Sequence, residues 1–197
     1  MPTVKTFAVQ DVMLIAPDRF ADRRGFFSEV FSLRALHDIG LDAEFVQDNH
    51  SLSVERGTVR GLHFQKPPRA QGKLVRVCRG KILDVPVDLR RGSPTCGHHV
   101  AVELSAENWL QLWIPEGLAH GFCTMEPDTE VMYKTTGYYS PQDDAGIAWD
   151  DPELAIDWPV TRAEAVVSDK DAALPRLAGR PSSFVWKPTR GQSERVA

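Results

Sequence analysis

Cysteine is scarce in this chain, and closely spaced cysteine pairs are missing. The three cysteines, Cys78, Cys96 and Cys123, lie far apart in a sequence of 197 residues, which excludes a C-x-x-C redox or zinc motif. An odd number of cysteines also argues against a disulfide framework. We therefore expect reduced cysteines that contribute to packing.

Long apolar runs and an excess of basic residues are missing too. No segment approaches the roughly 20 apolar residues of a membrane-spanning helix, and the N-terminus shows no charged leader followed by an apolar stretch. The formal net charge is −4, which disfavours a broad basic surface for nucleic acid or anionic lipid. We expect a soluble, cytoplasmic protein that binds neither nucleic acid nor membrane. A small anionic ligand held by a few local cations fits these values.

Several catalytic motifs are absent as well. The sequence contains no G-x-S-x-G nucleophile elbow and no glycine-rich phosphate loop of the P-loop or Rossmann type. No cysteine has a convincing base partner. What remains is acid–base chemistry by histidine, tyrosine, lysine and aspartate, without a bound cofactor.

Half of a cupin metal motif is present. The segment PEGLAH, residues 115–120, matches the P-x-G-x-x-H half, but the upstream H-x-H cluster is missing. His98 and His99 are adjacent, so on a strand they would point to opposite faces and could not share one ion. We expect a cupin-like barrel without a metal site.

The apolar pattern favours strands over helices. The segment from Lys73 through Leu89 alternates apolar and polar residues on both sides of a turn-like Arg79–Gly80 pair. Similar runs follow in HHVAVEL, WLQLWI and EVMYKTT, whereas helical spacing is concentrated in SLRALHDIG, which Gly40 ends. The pattern predicts a β-sandwich or jelly roll with few helices.

The composition predicts that the chain forms a single domain. With 42% hydrophobic and 25% charged residues, residues 1–197 can form a single core. We place that core at about 5–177 and interpret 178–197, rich in Pro, Ser, Arg and Gly, as a peripheral C-terminal tail with a frayed end.

His63 raises the main question about chemistry. It stands in RGLHFQ, residues 60–65, where a histidine between apolar neighbours more often fills core space than acts as a base. An imidazole close to cations loses its proton easily and could act as a base. Other polar clusters, each of which alone could be a surface loop or cap, favour the second interpretation: DRRGFFSEVF, VQDNHS, WIPEGLAHGF and VVSDKDA.

A series of segments resembles one known family. In chain order they are RGFFSEVF, FVQDNHS, RGLHFQ, AQGKLVR, DVPVDLR, SPT, LSAEN, QLWIPEGLAHGF, YKTTGYYSP and IDWP. From the N-terminal strand to about Leu177, they resemble the dTDP-4-dehydrorhamnose 3,5-epimerases. That family epimerises dTDP-4-dehydro-6-deoxy-D-glucose to dTDP-4-dehydro-L-rhamnose in dTDP-rhamnose biosynthesis.

The resemblance implies a cupin-type jelly roll that needs no metal or cofactor and forms a homodimer with exchanged N-terminal strands. It implies that His63 is the base, Asp171 the carboxylate that holds it, Tyr133 the general acid, and Lys73 the cation that meets the enolate charge. It further implies that substrate contacts come from Arg24, Glu29, Gln47, Asp48, Asn49, Arg60, Lys73, His120, Tyr139, Asp144 and Lys170. Among these, the resemblance assigns Tyr139 to stacking on thymine, and charge suits Arg24, Arg60 and Lys170 to the pyrophosphate.

Three alternatives stay open. The first is a single-centre 3- or 5-epimerase of another dTDP-deoxysugar pathway, which would keep the same base and acid. The second is a non-catalytic sugar-nucleotide-binding cupin, disfavoured because binding alone needs no acid opposite a base. The third is a metal-dependent cupin oxygenase or isomerase, disfavoured by the missing ligand cluster.

Overall fold

The computed structural model describes residues 2–178 and 182–187, and most of its regular structure is antiparallel strand. In chain order the strands are β1 (Thr3–Thr6), β2 (Met13–Ala16), β3 (Phe20–Asp22), β4 (Gly25–Phe27), β5 (Gln47–Ser53), β6 (Thr58–Gln65), β7 (Lys73–Arg79), β8 (Lys81–Asp88), β9 (Val102–Ser105), β10 (Gln111–Ile114), β11 (Leu118–Thr124), β12 (Thr129–Thr135), β13 (Asp144–Gly146) and β14 (Val166–Val167). The helices in this part of the chain are α1 (Leu33–Asp38) and α2 (Asp169–Ala172).

Two sheets face each other across the main core. The first has the strand order β1-β2-β10-β7-β12-β5, and the second has the order β13-β6-β11-β8-β9, with β14 beside β6. Apolar side chains of both sheets meet between them, among them Val75, Leu112 and Val131 from the first and Leu104 and Phe122 from the second. The predicted mainly β, cupin-type jelly-roll sandwich is confirmed.

The alternating segment after Lys73 forms β7 and β8, as predicted, but the two strands belong to different sheets. The turn between them carries the chain from one sheet to the other. Gly80 adopts a φ of +75° there, a conformation that glycine accepts at low cost. Two strands that are consecutive in the chain therefore lie in opposite sheets of the sandwich.

The predicted helix is also present and covers the outer face of the first sheet. The side chain of Ser32 caps α1 by accepting a hydrogen bond from the backbone N–H of Ala35. Leu36 and Leu41 pack with Trp113 of β10 and its neighbours. This apolar contact fixes α1 on the outside of the sandwich, away from the space between the sheets.

The N-terminal region exposes apolar surface. All four residues of β1 are exposed, and β3 and β4 form a separate two-stranded ribbon. In this ribbon Phe20, Phe26 and Phe27 are 63%, 50% and 71% exposed. Three large aromatic side chains in contact with water on one short hairpin are unusual for a surface that stays uncovered.

A bulge in β6 orients the RGLHFQ segment. Along the β6–β11 ladder His63 lies opposite His120 and Arg60 lies opposite Phe122, so β6 has one residue more than β11 between these pairs. The extra residue turns Arg60 and His63, an odd number of positions apart, to the same side. Gly61, with a φ of +129°, sits in this bulge, and a Cβ there would lie 2.5 Å from the Cα of Gly121.

A buried ionic network lies at the end of β8. Both oxygens of Asp88 are hydrogen bonded: Oδ1 accepts from the backbone N–H and Nε of Arg90, and Oδ2 from Arg90 Nη2 and the hydroxyls of Ser93 and Thr95. Arg90 also pairs with Asp11 at 2.9 Å. Burial acts to raise the pKa of Asp88, but these hydrogen bonds outweigh it and lower the pKa. The network therefore keeps a charged group inside the fold.

The C-terminal segment interpreted as a tail lies partly outside the described residues. In its described part, Phe184 is buried against the second sheet, and its ring meets that of Phe64 edge to face at a centroid distance of 5.7 Å. The assignment of residues 1–197 to one domain with a peripheral tail stays a prediction.

The cysteines are free, as expected, but they differ in burial. Cys123 is buried and packs beside Val59 and Trp149, whereas Cys96 is exposed, so the expected packing role is wrong for Cys96. Within the described residues, no helix has the length and apolarity to cross a membrane. The cytoplasmic location expected from the sequence stays a prediction.

Candidate active site

A cleft lined by strands of both sheets contains most of the predicted site residues. Two adjoining cavities, of about 270 Å³ and 300 Å³, share the side chains of His63, Lys73, Tyr133 and Lys170. His63 comes from the second sheet, whereas Lys73 and Tyr133 come from the first. The base and acid candidates are therefore supplied by opposite walls.

His63 and Asp171 form a tight pair. The Nε2 of His63 lies 2.6 Å from Oδ1 of Asp171, and Oδ2 accepts a hydrogen bond from the backbone N–H of Gly61 at 3.1 Å. Burial acts to raise the pKa of Asp171, but the hydrogen bonds from His63 and Gly61 and the charge of Lys170 outweigh this and lower it. An ionised Asp171 fixes the proton of a neutral His63 on Nε2, which leaves Nδ1 with the free lone pair.

The position of Asp171 depends on the short helix α2. The side chain of Ser168 caps this helix by accepting a hydrogen bond from the backbone N–H of Asp171 at 3.1 Å. Asp171 is only 5% exposed, although its neighbours in the helix lie at the surface. The cap therefore aims one carboxylate inward from a surface element.

Lys73 starts β7 and lies in both cavities. Burial lowers its pKa to about 8, while the charges of Asp84 and Asp144 act in the opposite direction. Lysine with a pKa near 8 is still mostly an ammonium ion at pH 7. The cleft thus holds a partly desolvated cation, which attracts negative charge more strongly than a lysine in water.

Tyr133 lies beside Lys73 on the first sheet. In the ladder between β7 and β12, Thr135 is opposite Lys73 and Tyr133 is opposite Val75. Tyr133 and Thr135 are two residues apart on β12, so the side chains of Tyr133 and Lys73 lie on the same face of the sheet. Burial raises the pKa of Tyr133, and the charge of Arg60 only partly opposes it. The phenol is therefore protonated at neutral pH and able to donate a proton.

His120 forms a second imidazole–carboxylate pair. Its Nε2 lies 3.0 and 3.1 Å from the two oxygens of Asp84, and both residues are buried. Burial lowers the pKa of His120 against the attraction of Asp84, so the ring is neutral at pH 7. Because His120 lies opposite His63 in the β6–β11 ladder and both line the same cavity, two histidines, each paired with an aspartate, are neighbours in the cleft.

Polar groups at the rim of the cleft are linked to one another. The hydroxyl of Tyr139 donates to Oδ2 of Asp144 at 3.1 Å, and Lys170 forms an ion pair with the same oxygen. Gln47 accepts from the backbone N–H of Tyr139 at 3.2 Å and donates to Asn49 at 2.9 Å. Tyr139 is 56% exposed, so its ring face is available to a ligand at the rim.

Three predicted contact residues lie elsewhere in this chain. Asp48 alternates with Gln47 and Asn49 on β5 and faces the other side of the sheet, where it pairs with Lys134 at 2.8 Å. Arg24 pairs with Asp22 on the exposed β3–β4 ribbon. Glu29 lines a separate cavity together with Phe20 and Phe27.

The interpretation of the sequence did not single out Asp84, Gln65 or Gln71. Gln65 is buried and holds the rim loop by accepting from the backbone N–H of Ser140 at 2.7 Å, while Gln71 lines the cleft. Asp84 carried a signal: it is an acidic residue inside the otherwise apolar strand segment ILDVPV, and buried carboxylates in strands require partners.

The jelly roll places a histidine–aspartate pair on one wall of a cleft, and a tyrosine and a partly buried lysine on the opposite wall. This arrangement is that of an acid–base isomerase site. The family model for dTDP-4-dehydrorhamnose 3,5-epimerase matches residues 6–179. The chain belongs to this family.

Similar proteins span almost the whole chain. A dTDP-4-dehydrorhamnose 3,5-epimerase from Sinorhizobium fredii is 51% identical, over 92% of this chain and 93% of the relative. The crystal structure of a Bacillus anthracis dTDP-4-dehydrorhamnose 3,5-epimerase with TDP and PPi bound has a TM-score of 0.88 at 50% identity, and covers 90% of this chain and 100% of that one. A Legionella pneumophila dTDP-6-deoxy-D-glucose-3,5-epimerase in complex with dTDP-4-keto-L-rhamnose has a TM-score of 0.89 at 40% identity, and covers 96% and 100%.

Proposed function

We propose that this chain converts dTDP-4-dehydro-6-deoxy-D-glucose to dTDP-4-dehydro-L-rhamnose by inverting C3 and C5. The relatives that share about half of its residues over most of its length carry this activity in their names. The observation that supports it most directly is the placement of His63 and Tyr133 on opposite sheets across one cleft. Inversion requires that a proton leave one face of the ring and return to the other.

In the first step, His63 removes the proton from C3 or C5. Both carbons flank the C4 ketone, so the electron pair of the broken C–H bond forms a C=C bond to C4, and the carbonyl oxygen becomes an enolate. The proton goes to Nδ1 of His63, because Nε2 already donates to Asp171. The carboxylate of Asp171 stabilises the imidazolium that forms.

Lys73 stabilises the enolate. Negative charge collects on the C4 oxygen, and a partly buried ammonium group stabilises that charge without the reorganisation that water would need. Removing a single such donor from an enzyme typically costs about 3 kcal/mol of transition-state stabilisation. Lys73 suits this role because it lies in both cavities and remains a cation at neutral pH.

In the second step, Tyr133 returns a proton to the opposite face. The C=C bond takes the phenolic proton at the carbon that lost its hydrogen, and the ketone forms again with inverted configuration. The tyrosinate then regains a proton from solvent, and His63 releases its own. The same pair serves C3 and C5 in turn, since both carbons flank the same ketone.

The rim binds the nucleotide part. Lys170 and Arg60 provide two cations that line the same cavity as His63 and Asp171. The exposed face of Tyr139 can stack on the thymine. The ion pair of Lys170 with Asp144 lies at the mouth, so the incoming pyrophosphate has a cation to bind there.

The protein acts as a homodimer in this proposal. The aromatic ribbon of β3 and β4 offers apolar surface that a second copy would cover, and the exposed strand β1 offers an uncovered strand beside it. Arg24 and Glu29 belong to this same region and lie away from the cleft of their own chain. Sedimentation of wild type and of the Phe20→Asp variant tests it: the wild type should sediment as a dimer and the variant as a monomer, and a monomeric wild type contradicts it.

The activity itself is tested by NMR analysis of the product formed from dTDP-4-dehydro-6-deoxy-D-glucose. We expect inversion at both C3 and C5. Inversion at only one carbon would assign the chain to the single-centre epimerases. Binding of the substrate without any turnover would leave a sugar-nucleotide-binding protein. The expectation that no metal is needed also stays a prediction, and retention of full activity in EDTA is the result that would support it.

A further inference from the structure

A buried carboxylate behind the cleft has no part in the steps above. Asp84 on β8 is fully buried, and its hydrogen-bond partner is the Nε2 of His120. Within residues 2–178 and 182–187 it has no salt bridge to a lysine or arginine. Burying a carboxylate costs several kcal/mol unless a positive charge compensates it, and a neutral imidazole supplies none.

Among the described residues, Lys73 is a cation that lacks a partner of negative charge. It is partly buried and has no salt bridge within the described part of the chain, yet the enolate step requires an ammonium ion. The attraction of Asp84 is the largest influence that opposes the loss of its proton on burial, followed by that of Asp144. Asp84 and Lys73 thus each lack a charged salt-bridge partner among the described residues. His120, which is hydrogen bonded to Asp84, lines the same cavity as Lys73, so the charge of Asp84 lies one side chain behind the cleft.

Several charged and titratable groups face Lys73 from the elements around it. They are Arg60 and His63 on β6, Asp84 on β8, His120 on β11, Tyr133 on β12, Asp144 on β13, Lys170 and Asp171 on α2, and Tyr139 at the rim. Two of the three carboxylates in this set already have close partners: Asp171 has His63 and the N–H of Gly61, and Asp144 has Lys170 and Tyr139. Asp84 is the carboxylate of this set whose negative charge is left to stabilise the ammonium form of Lys73.

We propose that Asp84 is a positioning residue that keeps Lys73 as an ammonium ion. Its hydrogen bond with Nε2 of His120 also holds the ring of His120 at the wall of the cleft. The inference rests on the proposed function, because it concerns the cation that meets the enolate. Asp84 does not touch the substrate in this role and acts through its neighbours. A purely structural carboxylate would instead affect folding and leave the pH response of catalysis unchanged.

The pH profile of kcat separates these possibilities. Lys73 must be protonated to act, so activity should fall on the alkaline side as the ammonium ion with a pKa of about 8 loses its proton. Asp84→Asn keeps the shape and can still accept from His120, but it removes the charge. We expect the alkaline limb of the kcat profile of this variant to move down by about one pH unit, which is the lower end of the pKa shift that one opposite charge causes. The acid limb of the profile and the Kd for dTDP should stay unchanged.

Asp88→Asn is the matched control. Asp88 lies four positions along the same strand and is equally buried, but it pairs with Arg90, whereas Asp84 pairs with His120 of the cleft. We expect Asp88→Asn to lower the melting temperature and to keep the alkaline limb of the wild type. Asp84→Glu restores the charge and should bring the limb back towards the wild-type position.

The outcomes are distinct. If the wild type gives no turnover, the proposed function fails. If the wild type turns over but Asp84→Asn leaves its alkaline limb in place, the proposed function stands and the role of Asp84 is refuted. Asp84→Ser serves as a second neutral variant. If circular dichroism shows that neither neutral variant folds while Asp88→Asn does, Asp84 is a structural residue and the inference is overturned.

Discussion

Asp84 and Asp88 lie on one strand and are both fully buried, but they differ in the charge of their hydrogen-bond partners. Asp88 receives hydrogen bonds on both oxygens and pairs with Arg90. Asp84 has a neutral imidazole as its hydrogen-bond partner. The charge of Asp88 is therefore fully compensated at the end of β8, whereas that of Asp84, in the middle of the strand, is left to act on the cleft.

The difference shows how one fold separates stability from chemistry. A buried charge with all its hydrogen bonds made stabilises a single arrangement, and removing one partner is costly. Incompletely paired groups in a cleft respond to charge that develops during a reaction. His63, Lys73 and Tyr133 belong to the second kind, since each retains a group that faces open space.

The largest effect is expected from His63→Ala. Loss of the general base should lower kcat by about 10³-fold, within the usual range for positioned acid–base groups, while the Kd for dTDP stays unchanged because other residues hold the nucleotide. Steady-state kinetics and calorimetry give the two quantities. His50→Ala, which removes an exposed histidine paired with Glu130, is the control and should keep wild-type activity. Near-normal turnover by His63→Ala would show that the base is another residue.

Asp171→Asn should have the next largest effect. The amide keeps the shape but no longer stabilises the imidazolium or selects the Nε2–H tautomer of His63, so we expect kcat to fall about 100-fold. The KM should change little. A loss confined to KM would mean that Asp171 acts in substrate binding and not through His63.

Asp88→Asn should affect stability and spare catalysis. Leaving Arg90 without its buried partner should lower the free energy of unfolding by about 3 kcal/mol, or the melting temperature by about 10 °C for a domain of this size. The folded-state pKa of Asp88 is lowered, so its contribution is complete above the unfolded value near 3.9 and is lost as the pH falls below it. Thermal melts between pH 3 and 7 should therefore converge at low pH. A constant difference across this range would contradict the account.

The smallest effect is expected from Lys134→Gln. Its ion pair with Asp48 is open to solvent on the Asp48 side, where the side chain is 57% exposed, and such pairs contribute at most about 1 kcal/mol. Unfolding in urea should therefore show a small change. Asp48→Asn sharpens the test, because a rise in KM in this variant, without a change in stability, would place Asp48 at a substrate contact supplied to another subunit.

The sequence predicts local features of this fold better than long-range ones. The alternation after Lys73 and the spacing around Leu36 correctly indicate β7, β8 and α1. The assignment of β7 and β8 to different sheets depends on distant strand pairing, which no local pattern contains. The same holds for the bulge that turns Arg60 and His63 to one side.

The candidate site shows the same limit. The family resemblance points to His63, Lys73, Tyr133 and Asp171, which the structure brings together. The outward direction of Asp48 follows from the two-residue period of β5 and could have been predicted. The pairing of Asp84 with His120 could not, because it joins β8 to β11 across 36 positions of sequence.

The central claim is that the two sheets supply base and acid to opposite faces of one sugar ring. Turnover in D2O by wild type and by Tyr133→Phe tests it most directly, with deuterium at C3 and C5 followed by NMR. The wild type should incorporate deuterium at both carbons with inversion. Tyr133→Phe keeps the base and loses the acid, so it should still exchange deuterium while keeping the original configuration. Full inversion at both carbons by Tyr133→Phe would contradict the account.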